Sequence, residues 1–222
     1  MNTNRYCQVV RQTTDNKSLN KVGYPESVVR GFELLTLFAG TFKCTTGLYP
    51  YVMAHLDLAK KNKIFVPGSG DELNEAKKRI ATLARRAQIR LQKTCKMEMR
   101  KKVPTELEFR AVLAAMPVMV RVYMMDGTYK TLPINTHTTA KSLSQMMSLT
   151  IGVKTNGLYA IYEYDNADNK HYLQPETRIM DVIAVWQEQV EALSEDQTKT
   201  FRSSRFMFGV HHFLDVDESD HI

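Results

Sequence analysis

The densest group of chemically active side chains in this sequence is a run of cations between Ala76 and Lys102. Within it, Glu98 is the only acid. The cations are Lys77, Lys78, Arg79, Arg85, Arg86, Arg90, Lys93, Lys96, Arg100, Lys101 and Lys102. The whole chain carries a formal net charge of +6, and most of that charge comes from this tract. Cations at such density attract polyanionic surfaces, so binding is the first chemistry to consider.

The spacing within the tract predicts a helix with one packed side and one cationic side. At about 100° per residue, small and apolar residues share one face. They are Ile80, Ala84, Ala87, Leu91 and Cys95. The candidate polyanion-binding residues on the rest of the helix are Lys78, Arg85, Arg86, Lys93, Lys96 and Arg100.

Three other interpretations compete with the interpretation that this helix binds an acidic surface of a partner protein. A charged face is usually only a solvated face, but a face that serves solubility usually mixes its signs, and this one has almost no acids. Nucleic acid is disfavoured because the tract from Lys77 to Arg100 contains no aromatic residue for base stacking. Membrane insertion is disfavoured because the apolar face is alanine-rich and has no Trp or Phe anchor.

Catalytic and metal chemistry has little support in the sequence, and we expect no enzyme activity, no cofactor and no metal site. A superficial cluster near the C-terminus belongs to a strand end and a polar tail. It comprises His211, His212, Asp215, Asp217 and His221. The three cysteines, Cys7, Cys44 and Cys95, are far apart and suggest neither a disulfide framework nor a zinc site. We expect them to be free, buried thiols.

The first hundred residues are predicted to be a helical bundle. Tyr6 and Val9 begin one helical face, and a wider apolar stripe follows Ser27, which is a candidate N-cap. That stripe is Val28, Phe32, Leu35, Ala39 and Phe42. A further helix contains Leu48, Val52, Leu56 and Ala59, with Pro50 early enough to be tolerated in its first turn.

At Pro117 the predicted structure changes from helices to strands. Two strands with alternating apolar and polar residues are predicted there, one on each side of an Asp-Gly turn. A two-residue loop would place Arg121 opposite Leu132 and bury a cation among aliphatic side chains. A three-residue loop over Met125 to Gly127, with Gly127 left-handed, instead pairs Val120 with Leu132. We therefore predict the bulged turn, in which Val118 also lies opposite Ile134.

The remaining elements complete a small α+β module. A helix is predicted after a Thr138 cap and ends at Gly152, and a second helix is predicted after a Thr177 cap. The second should bury Ile179, Val182, Ile183, Trp186 and Val190. Strands are predicted at 158–164, 171–174 and 205–210. The order strand, strand, helix, strand, strand, helix, strand is the β-grasp, or ubiquitin-like, arrangement.

Several sequence segments resemble segments of two modules that occur together in known proteins. RYCQVVRQTTDN, RGFELLTLFAGTF and LYPYVMAHL resemble the second half of a MyTH4 domain, and VPTELEFRAVL resembles its connecting helix. MPVMVRVYMMDGTYKTLPINTHTTAKSL, YAIYEYD, YLQPETRIMDVIAVW and RFMFGV resemble the ubiquitin-like first lobe of a FERM domain. The resemblance implies a partial MyTH4 domain at 1–114, a FERM first lobe at 116–213 and an acidic tail at 214–222.

This resemblance also implies a function. MyTH4 and FERM modules occur in tails of unconventional myosins and some kinesins, so we expect a non-catalytic motor tail that binds cargo proteins and microtubules through acidic tubulin. A MyTH4 protein with a Rho GTPase-activating domain, or another signalling scaffold, is the alternative. The remaining MyTH4 helices and FERM lobes of a parent protein would be further partners. Without them, Tyr6, Val9, Phe32 and Phe38 should be partly uncovered.

The expected compartment is the cytoplasm, in association with the cytoskeleton. No apolar run approaches the roughly 20 residues needed to span a bilayer. The first residues also lack the apolar region of a signal peptide.

Overall fold

The computed structural model describes residues 2–14, 25–98, 100–154, 157–194 and 203–211. The chain divides into two compact units, Met1–Met116 and Pro117–Ile222. The first unit is helical, and its described helices are α1 Asn2–Gln12, α2 Pro25–Thr41, α3 Tyr49–Lys60, α4 Gly70–Lys96 and α5 Glu106–Leu113. The second unit combines strands β1 Val118–Tyr123, β2 Tyr129–Ile134, β3 Tyr159–Tyr164, β4 Lys170–Tyr172 and β5 Arg205–Val210 with helices α6 Ala140–Ile151 and α7 Ile179–Glu191.

The helical unit has one apolar core built from the predicted helix faces. α2 is central, and α1, α4 and α5 contact it, while α3 also packs on α4. Phe32, Leu35, Leu56 and Leu91 are fully buried in this core. Pro50 lies in the first turn of α3, as predicted. The helical periodicity of the sequence therefore identified the correct core faces.

Two expectations for the start of the helical unit are wrong. Tyr6, Val9 and Phe32 are buried, because α1 packs against α2 and the Tyr6 hydroxyl donates to the Phe42 carbonyl at 2.7 Å. Phe38 is half-buried, as expected. Ser27 is not an N-cap, since α2 already begins at Pro25, whose fixed φ suits a first helical turn.

The second unit contains a five-stranded sheet in the order β2-β1-β5-β3-β4. β1 and β2 pair with Val120 opposite Leu132 and Val118 opposite Ile134, which confirms the predicted register. The turn is the predicted bulged one, because Gly127 has a φ of 82°. The hairpin closes with the Met124 amide donating to the Thr128 carbonyl at 2.8 Å.

The helix caps of the second unit differ from the prediction by one residue each. Thr139, not Thr138, caps α6 by accepting from the Ser142 amide at 3.2 Å, while the Thr138 hydroxyl accepts from the Asn135 amide. Arg178, not Thr177, precedes α7. Thr138 and Thr139 have equal capping ability, and Thr139 forms an isolated backbone bridge with Arg178, the residue that precedes α7.

The buried face of α7 is shorter than predicted. Ile179, Val182 and Ile183 are buried, whereas Val190 is 44% exposed near the end of the helix. Trp186 is half-buried, and its indole N–H donates to Glu163 at 2.5 Å. The acidic tail and the histidines at 212 and 221 lie outside the described residues.

Candidate polyanion-binding surface

α4 has the two-sided character that its sequence predicts. Ile80, Ala84, Ala87 and Leu91 are buried against the helical core, and Cys95 is half-buried. Of the other cysteines, Cys44 is buried, but Cys7 is exposed, contrary to expectation. Burial of one continuous face fixes which cations of the helix point away from the protein.

Some cations of α4 are anchored to the rest of the helical unit. Arg79 forms an ion pair with the buried Glu33 at 2.5 Å. Arg86 is half-buried and donates to the Ala115 carbonyl at 2.5 Å. These cations stabilise the packing of neighbouring elements, and Glu33 neutralises the charge of Arg79.

Arg90 is also anchored, on the side of α4 that packs on α2. It donates to the Thr36 carbonyl at 3.4 Å. Burial lowers the pKa of its guanidinium. An arginine pKa starts so high that the side chain remains charged near neutral pH. Arg90 therefore satisfies a buried carbonyl and contributes little to the exposed face.

Lys77 is half-buried, and the other four cations of α4 form an exposed stripe, which we define as Lys78, Arg85, Lys93 and Lys96. All four side chains are exposed, and the exposed Thr82 and Ile89 lie between them at helical spacing. None of the four forms an ion pair within the described parts of the chain. At 1.5 Å per residue, Lys78 and Lys96 are about 27 Å apart along the helix. The acids of α4 are confined to its start, at Asp71, Glu72 and Glu75.

The predicted placement of Arg100 on this surface is wrong. α4 ends at Lys96, and the Arg100 side chain is 0% exposed. Its guanidinium donates to both carboxylate oxygens of Glu108, at 2.6 and 2.7 Å. Glu108 also completes the capping box of α5 with Thr105. Without the Glu108 carboxylate, the charge of Arg100 would be buried and unpaired, and this would strongly destabilise the fold. Arg100 therefore has a structural role.

Sequence reasoning missed the division between anchored cations and the exposed stripe. The anchoring acceptors lie 29 to 54 residues away from the arginines that they bind, and several are backbone carbonyls. No periodic signal marks such acceptors. The exposed Ile89 was also missed, although its position midway between Arg85 and Lys93 follows from helical spacing.

Neither a metal centre nor a membrane span is found in the described part of the chain. The described segments contain no group of three or more His, Cys, Asp and Glu side chains that could hold a metal ion. None of the helices in the described ranges combines the length and apolar character needed to cross a bilayer.

The helical unit and the β-grasp unit each match a protein-family model. Residues 4–111 match the MyTH4 domain, and residues 116–212 match the RA like domain, which is ubiquitin-like. The chain therefore belongs to the proteins in which a MyTH4 domain is followed by a ubiquitin-like lobe.

Two relatives of the chain are myosins. The chain is 26% identical over 185 residues to the Myosin-I heavy chain of Dictyostelium discoideum and 27% identical over 158 residues to Myosin-VIIa of Drosophila melanogaster. These matches cover 81% and 71% of the chain, but only 7% and 6% of the length of the relatives.

Solved structures agree with the fold. The MyTH4-FERM MF1 domain of Dictyostelium discoideum myosin VII superposes with a TM-score of 0.78 at 22% identity, over 98% of this chain and 39% of that one. The C-terminal MyTH4-FERM domain of human myosin 7b, solved in complex with the harmonin-a PDZ3 domain, gives a TM-score of 0.66 at 18% identity, over 97% of this chain and 39% of that one.

Proposed function

We propose that this chain is a non-catalytic interaction module from the tail of a cytoplasmic, cytoskeleton-associated motor, and that its exposed stripe binds the acidic tails of tubulin. The observation that carries the proposal is the stripe itself. Lys78, Arg85, Lys93 and Lys96 are exposed on one helix without an ion pair among the described residues. A polyanion can therefore approach without displacing an internal carboxylate.

The proposal that this chain binds a protein cargo has separate support. Two curated relatives are myosins, and the human myosin 7b MyTH4-FERM domain was solved bound to a PDZ domain. A protein partner is therefore the expected kind of cargo. The myosin relatives favour a motor over the alternative parent, a Rho GTPase-activating or other signalling scaffold protein.

The geometry of the stripe suits a long, flexible and acidic ligand. Its four cations extend over about 27 Å of helix, a length that no single small anion covers. Exposed cations interact through water and are screened by salt, with a Debye length of about 10 Å at 0.1 M. Binding should therefore be diffuse and should weaken steeply as ionic strength rises.

Nucleic acid is a poorer ligand for the same surface. The exposed stripe and the residues between its members include no aromatic ring on which a base could stack. The exposed apolar side chain at its centre, Ile89, instead suits an aliphatic contact with a protein.

The test is co-sedimentation with microtubules at low and raised salt. The triple variant Arg85→Glu/Lys93→Glu/Lys96→Glu should bind at least about tenfold more weakly than the wild type at low salt, because three attractions become repulsions. Arg100 is left unchanged, so the result does not depend on the buried ion pair.

A matched control separates this surface from net charge. Lys63→Glu/Lys141→Glu/Lys154→Glu makes the same change in net charge at three exposed lysines outside α4. It should retain binding within about threefold of the wild type, because none of these three lysines belongs to the exposed stripe. Equal loss in both triple variants would rule out the stripe as the contact.

A further inference from the structure

A row of large side chains crosses the face of the sheet opposite the core of the second unit. Tyr129 on β2 pairs with Tyr123 on β1, and Tyr123 pairs with Met207 on β5. Met207 pairs with Tyr162 on β3, which pairs with Tyr172 on β4. Paired residues point to the same face, so these five side chains form one continuous row over all five strands. We call it the tyrosine row.

The rings of the tyrosine row contact one another in two pairs, and all except Tyr162, which is 8% exposed, are partly exposed. Tyr123 and Tyr129 have ring centroids 5.4 Å apart, and Tyr129 is 48% exposed. Tyr162 and Tyr172 are 5.9 Å apart. At one end His211 stacks on Tyr172 at 4.2 Å. The row is therefore a preformed surface of rigid side chains, and ordering it on binding costs little entropy.

Two cations lie over rings of the row without a carboxylate partner. The Arg121 guanidinium is 5.1 Å from the ring centroid of Tyr129, and the Lys170 ammonium is 4.0 Å from that of Tyr162. Neither forms an ion pair with any residue in the described ranges. An aromatic ring orients a cation but leaves its charge uncompensated. Both cations therefore remain available to an anion.

A third cation beside the row is different. Arg205 lies over the ring of Tyr164 at 5.2 Å, but it also forms an ion pair with Asp168 at 2.8 Å. Its charge is compensated within the lobe. The uncompensated positive charge of this face is thus concentrated at Arg121 on β1 and Lys170 on β4.

We propose that the tyrosine row binds an extended acidic segment of a partner protein, with two carboxylates four residues apart. The Arg121 guanidinium lies over Tyr129 on β2 and the Lys170 ammonium lies over Tyr162 on β3, and these two strands are three strand spacings, or about 14 Å, apart. Four residues of extended chain span about 13 Å, and residues four apart point to the same side. One carboxylate would then contact Arg121 and the other Lys170. The residue midway between them also points at the sheet, where Tyr123 and Met207 lie between Tyr129 and Tyr162, so an apolar side chain fits there.

Because most of its ring faces are covered, the tyrosine row suits a peptide ligand better than single-stranded nucleic acid. Base stacking needs open ring faces, whereas cations cover Tyr129 and Tyr162, and His211 covers Tyr172. Tyrosine, methionine and arginine are the residue types that protein interfaces concentrate. The inference rests on the proposed function only in taking the partner to be a protein, and it concerns a surface separate from the exposed stripe.

The test uses the full chain and a labelled peptide, Ser-Glu-Ser-Leu-Ser-Glu-Ser, titrated by fluorescence anisotropy. An isomer with adjacent glutamates, Ser-Glu-Glu-Leu-Ser-Ser-Ser, has the same composition and charge. We expect the first peptide to bind at least about fivefold more tightly, because only it can reach both cations. Its binding should also shift the methyl resonance of Met207, identified by its loss in Met207→Leu.

Charge reversal locates the contact. Arg121→Glu/Lys170→Glu should weaken peptide binding at least about tenfold, whereas Lys141→Glu/Lys154→Glu, with the same net charge, should leave it within about twofold. Microtubule binding should be unchanged in Arg121→Glu/Lys170→Glu, which keeps this test separate from that of the exposed stripe.

Any of four results would overturn the inference. They are equal affinity for both peptides, equal loss in both double variants, an unshifted Met207 methyl at saturation, and displacement of the peptide by a 12-nucleotide oligothymidylate at equal concentration.

Discussion

Arg100 in the helical unit and Lys170 in the ubiquitin-like lobe are held by different chemistry. In the helical unit the carboxylate of Glu108 binds Arg100, so this buried cation is neutralised. In the lobe the ring of Tyr162 lies beneath Lys170, which remains an uncompensated charge. A cation's place in a basic run therefore does not decide whether it can bind a partner, because an internal carboxylate can already compensate its charge.

Removing a carboxylate-bound cation should have the largest effect. Arg100→Ala should lower the free energy of unfolding by about 3–5 kcal/mol, because Glu108 would be left buried and unpaired. Lys96→Ala, four residues earlier and exposed, should change it by less than about 0.5 kcal/mol. Urea unfolding followed by circular dichroism measures both values.

A double variant separates the stability lost by leaving a buried charge unpaired from the stability lost with side-chain packing. Arg100→Met/Glu108→Gln removes both charges, and glutamine can still complete the capping box with Thr105. It should be more stable than Arg100→Ala by about 1–3 kcal/mol. If Arg100→Ala were as stable as Lys96→Ala, the structural role assigned to Arg100 would be incorrect.

The free energy of unfolding should also depend on pH, and this smaller effect originates in the helical unit. The Nε2 atom of His55 lies 2.7 Å from the Thr13 hydroxyl, and its ring stacks on Phe32. Burial lowers the pKa of His55 in the folded state. The unfolded chain therefore binds more protons, and this stabilisation is complete above about pH 6.5 and is lost as the pH falls below it.

Between pH 7.5 and 5, unfolding free energy should fall by at most about 1.4 kcal/mol per pH unit from this histidine. His55→Gln should flatten the curve over that interval. The pKa of Asp165 in the lobe is lowered by its hydrogen bonds with His171 and Asn169, so its stabilisation is lost only in more acidic solution, as the pH falls below about 3.8. An unchanged slope in His55→Gln would contradict the assignment.

Removing a ring-bound cation should have the smallest effect on stability. Lys170→Ala should change the free energy of unfolding by about 0.5–1 kcal/mol, the usual worth of an exposed cation–π contact. Thermal unfolding by calorimetry measures the change. A loss as large as that in Arg100→Ala would mean that the ring contact is structural, which would remove the contrast between the two units.

Much of the fold follows from local sequence patterns. The register of β1 and β2 was predictable because one slip would have buried Arg121, and the left-handed Gly127 fixed the loop length. The apolar faces of α2 and α4 were predictable because their period is helical and unbroken. Thr138 and Thr139 have the same capping ability, so the cap of α6 was displaced by one residue, and α7 follows Arg178, which makes no side-chain cap bond, instead of Thr177.

The surfaces were less predictable because they depend on distant partners. Glu108 lies beyond a loop from Arg100, and no period relates the two residues. The tyrosine row needs the pairing of β1 with β5 and of β5 with β3, which joins residues 84 and 45 positions apart, as in Tyr123 with Met207 and Met207 with Tyr162. Single-strand patterns contain no information about such registers.

The most direct test of the account is a cycle that combines the Arg85→Glu/Lys93→Glu/Lys96→Glu variant with microtubules whose acidic tubulin tails have been removed by proteolysis. If the exposed stripe contacts those tails, each change alone should weaken binding about tenfold, and the two together should weaken it little further. Independent, multiplying losses would contradict the account, because they would show that the stripe and the tails act at separate contacts.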